Sequence, residues 1–126
     1  MDPLFLTLDD VLSLHEDQIA RYGGLGGLGD LGLLQSAIGN VMATFEGSFL
    51  HGSLFEMAAA YLFHICRKHP FIDGNKRTAV AAALTFAEIN GVEIDANETD
   101  FYDLVIGVAE GKVTMAAVAV FFEAHS

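Results

Sequence analysis

The residues of this chain that are best suited to chemistry lie in one segment, residues 69–77, with the sequence His-Pro-Phe-Ile-Asp-Gly-Asn-Lys-Arg. The chain has only six Lys and Arg residues among 126, and its formal net charge is -11. Four of these six cations fall in or just before the segment: Arg67, Lys68, Lys76 and Arg77. Because Arg and Lys are the side chains that bind phosphate groups, this cluster predicts a local site for a small polyanion such as a nucleotide phosphate.

The second half of the segment has the features of an anion cradle at the start of a helix. A helix N-terminus presents unpaired backbone N–H groups and a partial positive charge, and Gly74 allows the backbone to approach a ligand closely. We therefore expect Gly74 and Asn75 to form the cradle. Lys76 and Arg77 would lie in the first helical turn, where a cation costs about 0.3–1 kcal/mol, so their presence indicates that an anion binds among them.

Asp73 has two interpretations. A carboxylate beside a polyphosphate is repulsive unless a cation bridges the two, and Mg²⁺ commonly binds one carboxylate oxygen together with phosphate oxygens. Alternatively, Asp73 is only the N-cap of the following helix. The neighbouring Lys76 and Arg77 favour the metal ligand.

His69 is the candidate general base of the segment. A lone histidine is more often a surface or packing residue, but a neutral imidazole is also the usual acceptor of a proton from a hydroxyl nucleophile. Its place next to the predicted phosphate site singles out His69. Phe71 is expected to anchor the loop in the core. The other histidines have no comparable neighbours in the sequence: His15, His51, His64 and His125.

The elements that position this segment are predicted to be helical. Hydrophobic residues make up 52% of the chain, mostly Ala, Leu, Val and Phe, which favours helices over strands. The length suits a single domain over residues 1–126. We predict a compact all-α bundle of about six helices, whose two apolar central helices are joined by residues 69–77. The predicted helices cover about 8–22, 31–45, 54–68, 75–89, 98–109 and 115–124.

Local signals mark the boundaries of these elements. Thr7 and Ser53 each begin a sequence typical of a capping box, and Asp30 is a candidate N-cap. Residues 46–52 interrupt the helical pattern and predict a hairpin-like flap or a loop, and residues 92–94 predict a short strand. Residues 22–32 contain six glycines and form a connection to which the sequence assigns no function.

Composition and charge argue against several classes of protein. An acidic chain lacks the broad basic surface that general nucleic-acid binding requires. Its uncharged apolar stretches are shorter than the roughly 18 residues needed to cross a bilayer. Cys66 is the only cysteine, so no internal disulfide can form, and the N-terminus does not look like a signal peptide. We therefore expect a cytoplasmic protein that binds neither nucleic acid nor membrane.

Residues 69–77 resemble the motif of the Fic/Doc (Fido) family, His-x-Phe-x-(Asp/Glu)-(Gly/Ala)-Asn-(Gly/Lys)-Arg, and meet every defined position. The resemblance extends over the whole chain. Residues 21–24, 33–38 and 78–79 look like the death-on-curing (Doc) branch. The resemblance implies a Fido fold and a transferase that uses ATP and Mg²⁺.

The resemblance also implies a role for each motif residue. His69 would deprotonate a target hydroxyl, Asp73 would hold Mg²⁺, and Phe71 would anchor the loop. Gly74 and Asn75 would form the anion cradle, with Asn75 also positioning phosphate or His69. The nucleotide phosphates would be bound by Lys76 and Arg77.

The segment at residues 44–53 would be the family's flap, which holds a target peptide by strand addition. Its apolar residues are Phe45, Phe49 and Leu50.

Two departures from the AMP-transferring members concern the transferred group. Those members usually have Gly at the position of Lys76 and a second Arg at the position of Val80, whereas Doc-type toxins share this chain's pattern. Doc-type toxins move the γ-phosphoryl group of ATP to a threonine of elongation factor Tu. Gly74, in contrast, is the Fic-like choice. The leading hypothesis is phosphoryl transfer to a Ser/Thr hydroxyl; the alternatives are adenylylation and a non-catalytic nucleotide-binding module.

Many Fic proteins carry an inhibitory helix of the form (Ser/Thr)-x-x-x-Glu-(Gly/Asn). The Glu-Gly pairs of this chain begin at Glu46 and Glu110, and Met42 and Ile106 stand where Ser or Thr is required. We therefore expect control in trans by a separate antitoxin segment that binds in a groove of the bundle.

Overall fold

A computed structural model describes residues 2–126 of the chain, and within them there are six helices and one two-stranded hairpin. The elements are α1 Leu8–Tyr22, α2 Leu31–Val41, β1 Thr44–Phe45, β2 Ser48–Phe49, α3 Leu54–Lys68, α4 Asn75–Ile89, α5 Glu98–Ala109 and α6 Met115–Ala124. This confirms the predicted all-α bundle with a short flap, which is the Fido fold.

The centre of the bundle is α3, which packs against α2, α4, α5 and α6. Its buried run of alanines at 58, 59 and 60 is matched on α4 by buried alanines at 79, 82 and 83. Such small side chains allow two helix backbones to approach closely. The two central helices therefore hold both ends of residues 69–74, the loop that joins them.

Tyr61 of α3 connects the central helix to the N-terminal segment. Its side chain is fully buried, and its hydroxyl accepts a hydrogen bond of 2.9 Å from the backbone N–H of Leu6. Burial raises the pKa of Tyr61 to about 12, and the Leu6 N–H opposes that rise. The phenol therefore stays neutral and ties the start of the chain to the core.

Side-chain N-caps explain where the helices begin. Five of the six helices in residues 2–126 have one, on Thr7, Asp30, Ser53, Asn97 and Thr114. The predicted capping box at Thr7 is complete, since Asp10 bonds back to the Thr7 N–H. The box predicted at Ser53 is only half formed, because the Glu56 carboxylate accepts from the Gly52 N–H at 2.6 Å.

The predicted flap is the antiparallel hairpin of β1 and β2, in which Thr44 pairs with Phe49. Glu46 and Gly47 form its two-residue turn with φ of 52° and 83°, and a type I′ turn requires positive φ at both positions. The ring of Phe49 contacts Phe5 with a centroid distance of 5.4 Å. The hairpin is therefore attached to the bundle through one face.

One predicted helix boundary and one predicted strand are wrong. Helix α2 ends at Val41 rather than near Phe45, because Thr44 and Phe45 pair with β2 in the hairpin. Residues 92–94 do not form a strand, because no strand lies beside them in the described chain. The N–H of Val92 bonds instead to Ala87 at the end of α4.

None of the helices in the part of the chain that the structure describes combines the length and the apolarity needed to cross a membrane.

Candidate active site

His69 follows α3 directly and has an unusual backbone conformation. It is the C-cap of α3 in the left-handed region, with φ 52° and ψ 54°, and its N–H bonds to Ile65. A residue with a β-carbon pays of order 1–2 kcal/mol for this conformation. The conformation turns the chain sharply out of α3, and the exposed His69 side chain lines the groove described below.

The turn is closed by Asn75, the first residue of α4. Asn75 is 3% exposed; its Nδ2 donates to the carbonyl of Phe71 and its Oδ1 accepts from the N–H of Phe71, both at 2.9 Å. The side chain thus faces the interior and holds the loop. This differs from the predicted role of Asn75 at phosphate or His69, because both polar atoms of its side chain bond to Phe71, and its backbone N–H is the group that it presents to the anion cradle.

Phe71 lies in the core with 2% exposure, as expected for a loop anchor. Its ring stacks on His15 of α1 with a centroid distance of 3.8 Å and an interplanar angle of 5°. The Nε2 atom of His15 lies 2.7 Å from the carbonyl oxygen of Asp73. His15 therefore contacts the motif twice, although the sequence places it 58 residues from Asp73. Its only signal in the sequence is a core-facing position in the apolar stripe of α1.

The glycine-rich connection supports the motif from outside. The N–H groups of Gly29 and Asp30 both bond to the carbonyl of Pro70, at 2.8 and 2.9 Å, and the N–H of Ile72 bonds to Gly27. A β-carbon at Gly29 would lie 3.1 Å from the Pro70 oxygen. The glycines thus allow two backbones to run side by side, which gives a structural role to a segment for which the sequence predicted none.

The Asp73 carboxylate is held at the surface by backbone donors. It accepts hydrogen bonds from the N–H of Leu25 at 3.1 Å and of Gly74 at 2.8 Å. These bonds lower the pKa of Asp73, and the nearby charges of Arg77 and His15 lower it further. The N-cap alternative for Asp73 is wrong, because Gly74 is the N-cap of α4 and no side chain caps it.

The four clustered cations separate in space. The Nη2 atom of Arg77 donates to the carbonyl of Gly23 at 2.9 Å, and Lys76 is exposed in the same groove. Arg67 instead donates to two carbonyls at the end of α5, at 3.3 Å each. Lys68 lies near His64, whose pKa is lowered by burial and then by the charge of Lys68. Two cations, not four, therefore lie at the predicted phosphate site.

A groove of about 750 Å³ joins these residues. It runs along α4 and is bordered by α1 and α5. Its polar part contains His69 and residues 73–77, so the predicted catalytic, metal-binding and phosphate-binding residues meet in one place. Its apolar part includes Val80, Ala81, Leu84, Phe101 and Val105.

The flap residues do not all face the same way. Phe45 and Leu50 are 69% and 64% exposed, which leaves them free to contact a target. Phe49 is half-buried against Phe5. Its position is that of an anchor for the hairpin.

The sequence model of the Fic/DOC family matches residues 5–87, which include the motif, the flap and the helices on both sides. The chain belongs to this family. Protein kinase doc of Escherichia phage P1 is 39% identical to it over 114 residues, which cover 90% of this chain and 89% of that relative. Toxin Doc of Mycolicibacterium smegmatis (strain ATCC 700084 / mc(2)155) is 43% identical over 93 residues, which cover 74% and 69% respectively.

The Fic/DOC motif of this chain fits a metal that arrives with a nucleotide. Within residues 2–126, no three His, Cys, Asp or Glu side chains come together as a metal site, so the protein alone does not supply a closed coordination shell. Mg²⁺ usually binds one or two carboxylates and completes its coordination with phosphates and water. The lowered pKa of Asp73 keeps one such carboxylate ionised beside Lys76 and Arg77.

Proposed function

We propose that this protein is a Doc-like toxin of a toxin-antitoxin module, and that it transfers the γ-phosphoryl group of Mg-ATP to a Ser/Thr hydroxyl of a target protein. The observation that carries the proposal is the N-terminus of α4. It is the one helix start in residues 2–126 without a side-chain cap, and its first turn holds Lys76 and Arg77.

Without a bound anion, the first turn of α4 is electrostatically unfavourable. The backbone N–H groups of the first turn have no side-chain acceptor, and two cations add to the positive end of the helix dipole. A phosphate group would accept from the N–H groups and from both side chains. The groove in which they lie also contains Asp73 and His69.

The chain's residues have distinct roles in the proposed transfer. Lys76, Arg77 and the free N–H groups of α4 would bind the phosphates, and Asp73 would hold Mg²⁺, which would supply charge neutralisation of the phosphates. His69 accepts the proton of the target hydroxyl. The hydroxyl oxygen then forms a bond to the γ-phosphorus, the bond from that phosphorus to the β–γ bridging oxygen breaks, and ADP leaves with the electron pair. The contributions are positioning and charge neutralisation.

AMP transfer is the second candidate, and Gly74 is the residue that favours it. Val80 argues against it: this position lines the groove one turn beyond Lys76 and Arg77 with an apolar side chain. A nucleotide in the groove therefore meets cations only at the helix start. This distribution supports phosphoryl transfer. A non-catalytic nucleotide-binding module would need neither His69 at the groove nor its strained backbone.

The flap supports a protein target. Phe45 of β1 and Leu50, which follows β2, are exposed on a two-stranded hairpin whose outer edge can pair with an extended peptide. We propose elongation factor Tu as the first target to test, and the cytoplasm as the place of action. The name of the phage relative, a protein kinase, supports the same reaction class.

A separate antitoxin is the proposed means of control. The apolar part of the groove, formed by α4 and α5, offers a surface on which an amphipathic helix can pack. The chain lacks the inhibitory helix motif of self-controlled Fic proteins.

Expression of the protein alone should stop growth, and the His69→Ala variant should be tolerated. If the protein is harmless alone while fully active on a target, control by an antitoxin is excluded.

The transfer itself is tested by incubating the purified protein with labelled Mg-ATP and either elongation factor Tu or a cell lysate. We expect a labelled protein band with the parent and none with His69→Ala, although the variant still binds Mg-ATP. His125→Ala is the matched control, because His125 lies outside the groove. Equal labelling by the parent and His69→Ala would remove His69 from the mechanism.

A further inference from the structure

The buried imidazole of His15 contacts the motif loop from the interior of the protein. It takes no part in the proposed transfer. His15 is 4% exposed and is one of three buried polar residues in the described chain, with Asn75 and Thr78. Its Nε2 atom lies 2.7 Å from the carbonyl oxygen of Asp73, and its ring stacks on Phe71. A carbonyl oxygen only accepts, so Nε2 carries the proton and donates it.

Packing alone does not account for a histidine at this position. An apolar ring would fill the same space against Phe71 without the cost of removing a polar group from water. What the imidazole adds is the hydrogen bond to Asp73. The stack fixes the ring plane, so the donor is directed at one carbonyl of the loop.

That carbonyl belongs to the peptide that joins Asp73 to Gly74. Gly74 has φ 76° and is the N-cap of α4. Its α-carbon lies against His15 and Ile19, since a β-carbon there would be 3.6 Å from Nε2 and 3.1 Å from the Ile19 Cδ1 atom. Fixing the plane of this peptide sets two directions at once. One is the direction of the Asp73 carboxylate, and the other is that of the first free N–H groups of α4.

We infer that His15 is a positioning residue for the anion site. Its Nε2–H holds the peptide between Asp73 and Gly74 so that the carboxylate and the N-terminus of α4 face the groove together. Partners of this kind, which orient a ligating group without touching the ligand, typically change affinity by about 10–100-fold when removed. The identity of the anion as Mg-ATP rests on the proposed function, whereas the effect of His15 on the loop does not.

Two variants separate the hydrogen bond from packing. His15→Phe keeps an aromatic ring against Phe71 and removes the donor, and His15→Gln keeps an N–H donor that can reach Asp73. His125→Phe is a matched control: the His125 ring also stacks on a phenylalanine, Phe121, at 4.1 Å, and its Nδ1 atom lies 2.7 Å from the Phe121 carbonyl oxygen. It lies outside the groove.

The first measurement is hydrogen exchange, in the nucleotide-free protein, of the Gly74 and Thr78 amides, which donate to the Asp73 carboxylate and to the Gly74 carbonyl. We expect faster exchange in His15→Phe, restored protection in His15→Gln and no change at these amides in His125→Phe. The second measurement is the Kd for Mg-ATP, which we expect to rise by about 10–100-fold in His15→Phe and to recover in His15→Gln. A kcat loss with unchanged Kd and exchange would contradict a positioning role.

A third measurement needs no variant. The NMR spectrum of the parent protein should show a slowly exchanging Nε2 proton on His15, and its absence would overturn the inference even if His15→Phe fails to fold. The outcomes also separate the two proposals. Faster loop exchange in His15→Phe, together with a parent that binds no nucleotide, would support His15 and reject the proposed function. Unchanged loop exchange would reject His15 whatever the protein's activity.

Discussion

The side-chain amide of Asn75 bonds to both backbone polar groups of Phe71, and both distances are 2.9 Å. These two bonds close the loop between α3 and α4. They direct His69 and Asp73 outward while Phe71 enters the core. A residue that the motif would assign to the ligand thus serves first to shape the loop.

Replacing Asn75 by Ala should therefore destabilise the protein. The N–H and carbonyl of Phe71 would lose their partners in a buried site, which costs about 1–3 kcal/mol. Chemical denaturation of the variant and the parent measures this difference in the free energy of unfolding. Asn40→Ala is the control, because the Asn40 side chain makes only a 3.4 Å contact with His64. Equal, small effects in both variants would show that Asn75 does not hold the loop.

Arg67 and Arg77 should respond differently to replacement by Ala, although the sequence groups them. Arg77→Ala should weaken Mg-ATP binding by about tenfold or more, because hydrogen bonds to charged groups contribute roughly 1.5–3 kcal/mol. Arg67→Ala should leave the affinity unchanged and lower stability instead, because Arg67 bonds the last carbonyls of α5. Isothermal titration of both variants checks this. An equal loss of affinity in the two would contradict the separation of the cations.

Two flap residues should have different roles, with Phe49 as an anchor of the hairpin and Phe45 as a contact with the target protein. Phe49→Ala should lower the free energy of unfolding by about 1–3 kcal/mol, because it removes a half-buried ring from Phe5. Phe45→Ala should change it by less than about 0.5 kcal/mol but reduce transfer to a protein target. Melting curves and transfer rates for both variants measure the division. Full transfer by Phe45→Ala would remove Phe45 from the target surface.

Asp73 should make the free energy of unfolding depend on pH in a defined range. Its pKa in the folded protein is lowered from the ordinary value of 3.8, so its contribution to stability is complete above that value and is lost as the pH falls through the folded pKa. The stability difference between the parent and Asp73→Asn should be constant from about pH 7 to pH 5 and shrink below about pH 4. Denaturation at several pH values measures it. A difference that changes between pH 7 and pH 5 would contradict the ionised carboxylate.

The fold was predictable from the sequence where local chemistry decides it. Thr7, Asp30 and Ser53 begin their helices because each supplies an oxygen to an N–H of the first turn. The early end of α2 was not predictable in this way. It depends on the pairing of Thr44 with Phe49, a contact between strands of two residues each that carry little signal of their own.

The residues of the site were predictable from the sequence, but their arrangement in space was not. His69 and Asp73 share a groove because they share a short loop. The support from His15 and from the glycine-rich connection comes from segments more than 40 residues away, and nothing in their local sequence indicates it. Arg67 and Lys76 are close in sequence, yet a helix end and a turn separate them in the structure. The charge cluster in the sequence therefore indicated more cations at the phosphate site than the structure places there.

The position of the transferred label tests the central claim most directly. The purified protein is incubated with a target and Mg-ATP that is labelled on either the γ- or the α-phosphorus, with His69→Ala as the control. We expect the target to acquire label from the γ position only, and only with an intact His69. Label from the α position would instead show AMP transfer and contradict the account.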